Sequence, residues 1–190
     1  MLAAETVVSV AGMAVMLVDG EVAIRSLGRP GDLGWVVMAH GEVYAAEFGW
    51  DGEFEALVAR IVADYAAAHD PRREAAWIAE VGGRRAGCVF LVARDAGTAQ
   101  LRILLVDPAA RGHHLGGRLV GECLAFARRA GYRRMILWTN DNLAAARHIY
   151  LAAGFSLVSE EPHHSFGADL VGQYYELDLT AGQPAAAPAR

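Results

Sequence analysis

The segment from residue 101 to residue 130 constrains the fold more than any other part of the chain. It opens with the apolar run 101–106, which has the length and composition of a buried strand. Pro108 ends this strand because proline lacks the N–H group that a β-ladder needs. After a glycine-bearing turn, apolar residues recur at helical spacing up to Gly131, a natural helix stop. The segment therefore predicts a strand, a turn and a helix, as in an α/β fold.

The turn before this helix is suited to binding an anion. The first N–H groups of a helix have no intrahelical acceptor, and the helix dipole adds positive partial charge at the same end. Arg111 and Arg118 lie in the turn and could add charge-assisted hydrogen bonds to a phosphate. Many α/β proteins use glycines at such turns only for close packing. The segment alone is therefore consistent with a phosphate site and with a packing turn.

The same segment resembles the acetyl-CoA-binding motif of the GNAT superfamily of N-acetyltransferases, Gln/Arg-x-x-Gly-x-Gly/Ala after a Val-x-Pro strand end. Pro108, Arg111 and Gly116 match this motif, whereas His114 occupies a position that is usually glycine. The resemblance implies that acetyl-CoA is the cofactor, with its pyrophosphate on the turn and its pantetheine along the preceding strand. The cofactor-binding residues that it implies here are Leu104, Leu105, Val106, Arg111, Gly112, His113, His114, Leu115, Gly116, Gly117 and Arg118.

Composition and charge limit the class of protein and its partners. The 190 residues are 54% hydrophobic, enough for one core, and the net charge of −5 argues against nucleic acid as a partner. Cys88 and Cys123 lie in apolar contexts, which indicates buried thiols and neither a disulfide framework nor a zinc site. The apolar stretch 7–18 is too short to span a bilayer and has no basic residues before it. These features predict a cytoplasmic protein without metal or membrane partner.

The remaining patterns predict one domain at 21–180, a leader or additional edge strand at 1–20 and a disordered tail at 181–190. A first strand at 21–27 precedes a helix that Asp32 caps and that buries Leu33, Val36, Val37, His40, Val43 and Tyr44. A second helix spans 53–69, and strands at 75–81, 85–94 and 101–106 form an antiparallel meander with a tight turn at Gly82-Gly83. After the helix described above come a strand at 134–139, a helix at 143–153 and strands at 155–159 and 172–179.

This order is β-α-α-β-β-β-α-β-α-β-β, an α/β (α+β) mixed sheet. By resemblance it is the GNAT acyl-CoA N-acyltransferase fold, in which the fourth and fifth strands splay apart to admit the pantetheine arm. A second GNAT landmark, Asn-x-x-Ala-x-x-x-Tyr-x-x-x-Gly-Phe, is matched by Ala146, Tyr150 and Gly154, but Leu143 stands where the asparagine is expected. Asn140 and Asn142 are therefore the candidates for the displaced cofactor contact.

The strings LWTND and AARHIYLAAGF resemble the acetyltransferase module that is fused behind MarR-type regulators. Too few residues precede the first predicted strand for a winged-helix DNA-binding domain. The resemblance to GNAT enzymes also implies a possible homodimer.

Acetyl transfer needs an acid for the departing thiolate and a route for the amine proton. The GNAT resemblance implies that Tyr150 is the acid; the alternative is a core aromatic residue. A base is less evident because the predicted fourth strand contains no glutamate, so Glu47, His163, His164 and ordered water all stay open. The acceptor wall is predicted to contain Tyr44, Trp50, His163 and Phe166.

Two functions follow from these patterns. The first is an N-acetyltransferase that moves an acetyl group from acetyl-CoA to a primary amine of a small molecule or peptide. The acidic residues of the first two helices, Glu42, Glu47, Asp51, Glu53 and Glu55, would suit a cationic amine or simply form a solvated surface. The second is a non-catalytic acyl-CoA-binding or sensing module, which the histidine at position 114 keeps open.

Overall fold

A computed structural model describes residues 9–10, 13–14 and 20–180 and places a seven-stranded mixed sheet at the centre of the molecule. The strands are β1 (Val22–Ser26), β2 (Ala75–Val81), β3 (Arg84–Ala93), β4 (Thr98–Val106), β5 (Arg134–Asn140), β6 (Ser156–Ser165) and β7 (Ala168–Asp178). The helices are α1 (Asp32–Phe48), α2 (Gly52–Ala68), α3 (Leu115–Arg129) and α4 (Ala144–Ala152), with a 3-10 turn at Pro108–Ala110. In space the strands follow the order β1-β2-β3-β4-β5-β7-β6. The predicted fold class and order of elements are confirmed.

Two very short strands, Ser9–Val10 and Met13–Ala14, pair with each other and not with the seven-stranded sheet. The rest of the predicted leader and the predicted tail at 181–190 lie outside the described residues. No helix within the described part of the chain is long and apolar enough to cross a membrane.

Strands β4 and β5 separate soon after they begin to pair. Their parallel ladder runs only from Thr98 opposite Arg134 to Gln100 opposite Ile136, after which no pair is formed between them. Strand β4 stays on β3 up to Val106, and β5 stays on β7 up to Asn140. The two strands thus diverge into a V-shaped opening at their carboxyl ends, as the resemblance implied.

A β-bulge in β4 lies at this divergence. The register between β3 and β4 shifts between Cys88 and Phe90, and Ile103 adopts a φ of 42°, which is rare for a β-branched residue. The Cys88 Sγ–H group donates to the Ile103 carbonyl oxygen at 3.6 Å. The bulge bends β4 at the edge that β5 leaves unpaired, so its backbone groups there are open to a ligand.

Helices cover both faces of the sheet. Helix α3 packs Leu119 and Cys123 on one face, against Val89 and Leu101 among other residues. Helices α1 and α2 pack on the other face, where Phe90 belongs to the same buried cluster as their inward side chains. A third cluster of Trp50, Phe166 and Leu170 joins the α1–α2 connection to the tip of the β6–β7 hairpin.

The start of α1 differs from the prediction. The N-cap is Gly31, with a φ of 85°, and Asp32 is the first helical residue, so Asp32 does not cap the helix. Its side chain is fully buried and turns back toward two arginines and the loop that precedes the helix. Leu33 is exposed, contrary to its predicted place on the buried face.

The last two strands are longer than predicted. The prediction ended β6 at residue 159 and began β7 at residue 172, whereas the structure pairs residues 156–165 with residues 168–176 across a turn at Phe166-Gly167. The full hairpin was not predicted because Pro162 and the paired charged residues are atypical of a buried strand. The strand is exposed along most of its length, which explains why hydrophobic alternation did not reveal it.

Candidate active site

Two cavities meet where β4 and β5 diverge. The larger, about 460 Å³, lies between α1, α2 and strands β4 and β5. The smaller, about 350 Å³, lies between α1, the end of β4 and the start of α4. Both are lined by Tyr44, Leu104, Leu143 and Ala146, so the two cavities adjoin at these residues.

The predicted cofactor residues divide between these spaces and the turn before α3. Leu104, Leu105, Val106, Arg111 and Asn142 line the smaller cavity. Asn140 lines the larger cavity instead, and its side-chain oxygen accepts a hydrogen bond from His163 Nε2 at 2.9 Å. The structure therefore brings Asn142, and not Asn140, to the strand residues expected to hold the pantetheine.

The first turn of α3 has backbone N–H groups without a hydrogen-bond acceptor among the described residues. Helix α3 begins at Leu115, and its first intrahelical bond runs from the Arg118 N–H to the His114 carbonyl at 3.2 Å. Within the described chain, the N–H groups of Leu115, Gly116 and Gly117 donate to no protein acceptor. A Cβ on Gly117 would meet no atom within 4 Å, so space lies open beside these donors.

His114 is the N-cap of α3 and adopts the left-handed conformation, with φ 55° and ψ 25°. Glycine takes up this conformation without steric cost, which explains the glycine of the motif in physical terms. The side chain of His114 is exposed. An imidazole at this position is therefore accommodated at the surface.

Replacing His114 with glycine is expected to remove the steric cost of the left-handed conformation, which is about 1 kcal/mol. The entropy that glycine gains in the unfolded state offsets part of this, so the free energy of unfolding should rise only slightly or stay level. Denaturant unfolding measures the stability, and calorimetric titration measures the affinity for acetyl-CoA, which should not fall. A tenfold loss of affinity would instead show that the imidazole contacts the cofactor.

Glu47 and Arg111 form an ion pair with each other. Arg111 Nη2 donates to both carboxylate oxygens of Glu47, at 2.6 and 2.7 Å, across the mouth of the smaller cavity. Glu47 lines the smaller cavity and not the larger one, so the structure does not place its carboxylate in the space proposed for the amine. Arg111 is half exposed, so its side chain can exchange this partner for a phosphate at little cost.

Tyr150 lines the larger cavity, one helical turn after Ala146, which lines both cavities. It is on α4, 5% exposed, and lines the larger cavity beside Ala146 and Leu143. Burial raises the pKa of its phenol above the ordinary value for tyrosine. Its hydroxyl makes no hydrogen bond to another group of the described residues, so it is a neutral donor without a protein acceptor.

The two adjacent histidines of β6 point in opposite directions, as successive residues of a strand must. His163 contacts Asn140, Ser165 and the ring of Trp138, whereas His164 is exposed and pairs with Asp169 at 2.7 Å. His164 is therefore not at the cavity and cannot be its base. His163 donates a hydrogen bond to Asn140, which lines the larger cavity, but His163 does not line that cavity itself.

The structure brings only some residues of the predicted acceptor wall to the larger cavity. Tyr44 and Trp50 line the larger cavity, but Phe166 lies behind Trp50, with ring centroids 4.9 Å apart. Trp138 of β5 also lines the cavity. None of the five acidic residues of the first two helices lines this cavity, which favours the alternative that they form a solvated surface.

The polar residues that line the larger cavity and that sequence reasoning missed include Arg94, Gln100 and Arg102. Their positions follow from the β3–β4 register, which hydrophobic pattern alone did not predict.

Sequence reasoning also assigned no functional role to the buried His40. His40 Nδ1 bonds the Val36 carbonyl at 2.7 Å, while Nε2 is buried without a partner, and burial lowers its pKa to about 4. His40 is therefore neutral; its ring lines the larger cavity, and its Nε2 is shielded from solvent.

No group of three or more His, Cys, Asp or Glu side chains within the described residues could hold a metal ion. Both cysteines are buried and free, and burial raises the pKa of each thiol.

Comparisons with known proteins agree with this geometry. The model of the Acetyltransferase (GNAT) family matches residues 37–155. An uncharacterized N-acetyltransferase of Schizosaccharomyces pombe is 29% identical over 153 residues, which are 78% of this chain and 90% of that protein.

Solved structures share the fold. YncA of Salmonella typhimurium, determined with its cofactor acetyl-CoA, matches with a TM-score of 0.68 and 18% identity over 90% of this chain and 99% of its own. An N-acetyltransferase of Staphylococcus aureus Mu50 matches with a TM-score of 0.68 and 18% identity over 84% of this chain and 99% of its own. The family model spans well over half of the chain, from α1 to Phe155 beyond α4. The chain belongs to the GNAT acetyltransferase family.

Proposed function

We propose that this protein transfers the acetyl group of acetyl-CoA to a primary amine of a small molecule or peptide. The observation that carries the proposal is the divergence of β4 and β5, where two cavities adjoin and Tyr150 lines the larger one. One cavity adjoins the turn before α3 and suits the cofactor, and the other suits the acceptor. The names of the S. pombe relative and of the acetyl-CoA-bound YncA structure support the same reaction.

The residues around the smaller cavity fit a pyrophosphate and a pantetheine arm. The open N–H groups of Leu115, Gly116 and Gly117 would bind the phosphates, with Arg111 and Arg118 as additional donors. Leu104 lies in the part of β4 where no residue of β5 pairs, so its backbone would hold the pantetheine or the thioester carbonyl. The remaining contacts would come from Leu105, Val106, Asn142 and the turn residues Gly112, His113 and His114.

Acetyl-CoA, when bound, supplies the activated acetyl thioester. The larger cavity admits the amine, whose nitrogen forms the new C–N bond as the C–S bond breaks. The Tyr150 hydroxyl donates a proton to the departing sulfur and then regains one from water. No carboxylate lines the larger cavity and His40 Nε2 is enclosed, so we assign the loss of the amine proton to water.

Replacing Gly117 with glutamate is expected to raise the Kd for acetyl-CoA by about tenfold or more, because a carboxylate would enter the open space beside the phosphate donors. The fold should tolerate this change, since glutamate is a better helix former than glycine by about 1 kcal/mol. The measurement is the acetyl-CoA-induced shift of the thermal midpoint.

Gly121→Glu is the matched control, because it makes the same substitution one turn later in α3, where a Cβ also meets no atom within 4 Å. This variant should keep most of the wild-type shift. Equal shifts in both variants would place the phosphates elsewhere.

The reaction itself is tested by incubating the purified protein with acetyl-CoA and a panel of primary amines. Released thiol and acetylated amine should appear in equal amounts, and the rate should exceed that of acetyl-CoA hydrolysis without amine. Binding of acetyl-CoA without turnover of any amine would contradict the proposed reaction. That outcome would favour a non-catalytic acyl-CoA-binding or sensing module, the alternative that the histidine at position 114 keeps open.

We further propose that the chain is related to the acetyltransferase module fused behind MarR-type regulators, on the basis of the strings LWTND and AARHIYLAAGF.

We also propose a single domain over residues 21–180, a cytoplasmic location and a homodimer. The outermost strand of the sheet, β6, exposes Leu157 and Val158 and supports self-association. Sedimentation velocity measures the oligomeric state directly.

A further inference from the structure

The larger cavity carries positive charge and no carboxylate. Arg94 and Arg102 both line it, together with the polar side chains of Gln100 and Asn140. No aspartate or glutamate is among its lining residues. The charge of this space is therefore opposite to that expected of a pocket that selects a cation.

The register of the sheet explains why the two arginines lie together. Arg102 stands opposite Phe90 in the β3–β4 ladder, and cross-strand partners share a face, so Arg102 lies on the face covered by α2. Arg94 directly follows β3, and its backbone N–H donates to the Thr98 carbonyl at 2.9 Å, which places it beside the start of β4. Burial and the neighbouring charge of Arg94 together lower the pKa of Arg102 below its ordinary value.

Neither guanidinium is neutralised within the described chain. Neither Arg94 nor Arg102 makes a side-chain hydrogen bond or an ion pair to any described residue, although Arg102 is partly buried. Asp64 of α2 is the acidic residue that acts on Arg102, and it does so beyond ion-pair distance. Two like charges that share a cavity wall without a partner repel each other, and an anion between them would relieve that repulsion.

We infer that the acceptor is a primary amine that also carries an anionic group, such as a carboxylate, and that Arg102 together with Arg94 binds that group. This inference rests on the proposed function and names its substrate class. Arg102 lies two residues before Leu104 on β4, a separation of about 7 Å along a strand. A small molecule can therefore place its amine at the opening beside Leu104 and Tyr150 while its anionic group contacts Arg102.

The rest of the cavity indicates an apolar body between these two groups. The lining side chains that would contact it are apolar or aromatic: Trp50, Phe54, Leu57, Ile61 and Trp138. The arginines also assist the chemistry, because nearby positive charge lowers the pKa of a bound amine and favours its neutral, nucleophilic form. A site without a general base benefits directly from this effect.

The test compares matched acceptors that differ only in the anionic group. The probes are phenylalanine with phenylalaninamide, leucine with leucinamide, and methionine with methioninamide. For at least one pair, the wild-type kcat/KM should favour the acid over the amide by about tenfold or more, because a charge-assisted bidentate contact is lost with the amide.

Arg102→Gln should lower this acid-to-amide ratio by about tenfold, mainly through the KM of the acid. Arg102→Lys, which keeps the charge without the bidentate geometry, should retain part of the ratio. Arg60→Gln is the matched control, because Arg60 lies on α2 outside the larger cavity and its loss changes the net charge equally. The ratio within one variant cancels the intrinsic reactivities of the two amines.

The outcomes separate the inference from the proposed function. Turnover of both members of each pair without preference for the acid, or a ratio that Arg102→Gln leaves unchanged, overturns the inference while the acetyltransferase activity stands. Bound acetyl-CoA with no turnover of any probe or other primary amine overturns the proposed function, and the inference with it. Thermal melts of each variant establish that it is folded before its ratio is interpreted.

Discussion

Tyr150→Phe is expected to lower kcat by about two orders of magnitude or more, the usual effect of removing a positioned general acid. The hydroxyl is the proton donor in the larger cavity, and phenylalanine keeps the ring that packs near Phe155 and Tyr175. The Kd for acetyl-CoA and the thermal midpoint should change little. Because burial raises the pKa of Tyr150, the wild-type phenol stays protonated across neutral pH and does not limit the rate there.

The control is Tyr175→Phe. Tyr175 is also buried, but its hydroxyl donates to Gln173 at 3.1 Å and it does not line the cavity. This variant should lose about 1 kcal/mol of stability and keep its kcat. If Tyr150→Phe retained most of the wild-type kcat, Tyr150 would be a core residue and the thiolate would take its proton from another source.

Asp32→Ala is expected to lower the free energy of unfolding by about 3–5 kcal/mol, because it removes a buried carboxylate and leaves the largely buried Arg25 with Glu80 as its remaining acidic partner. The Asp32 carboxylate is fully buried and accepts hydrogen bonds from Arg25 at 2.7 and 2.9 Å and from Arg85 at 2.8 Å. The N–H groups of Gly28 and Arg29 also donate to it, at 3.0 and 2.8 Å. Denaturant unfolding at neutral pH measures the loss.

The pH dependence of the free energy of unfolding is a second test of the Asp32 contacts. The hydrogen bonds from Arg25 hold the pKa of Asp32 well below its ordinary value. Its contribution is therefore complete above the unfolded-state pKa of about 3.9 and is lost as the pH falls toward the folded-state value. Wild type and Asp32→Ala should converge in stability in strong acid.

Asp70→Ala is the control for this comparison, because the Asp70–Arg72 pair is exposed and its removal should change stability little. An equal, small effect of both substitutions would show that the Asp32 contacts do not support the fold.

Most of the fold could be predicted because its elements have strong local signals. Gly82 and Gly83 have φ values of 56° and 77°, as the predicted two-residue hairpin requires, and Pro108 follows the end of β4 as expected. The segment from β4 to α3 likewise carries its strand, turn and helix in its own residues. The β6–β7 hairpin was cut short because its strand is exposed, so hydrophobic alternation is missing there.

The site was less predictable because it depends on pairings between distant residues. The contact of Glu47 with Arg111 joins residues of α1 and of the turn before α3, and nothing in either local pattern indicates it. The arrangement of Arg94 and Arg102 depends on the β3–β4 register and on its bulge. His163 and His164 could have been separated by strand alternation, but only once their strand was recognised.

The central claim is that acetyl-CoA and an amine meet at the divergence of β4 and β5. A crystal structure of the protein with coenzyme A tests it most directly. We predict that the pyrophosphate contacts the N–H groups of Leu115, Gly116 and Gly117, and that the pantetheine passes between β4 and β5. Its sulfur should lie within hydrogen-bond distance of the Tyr150 hydroxyl. A pantetheine arm that runs outside the sheet, with its sulfur away from both cavities, would contradict the account.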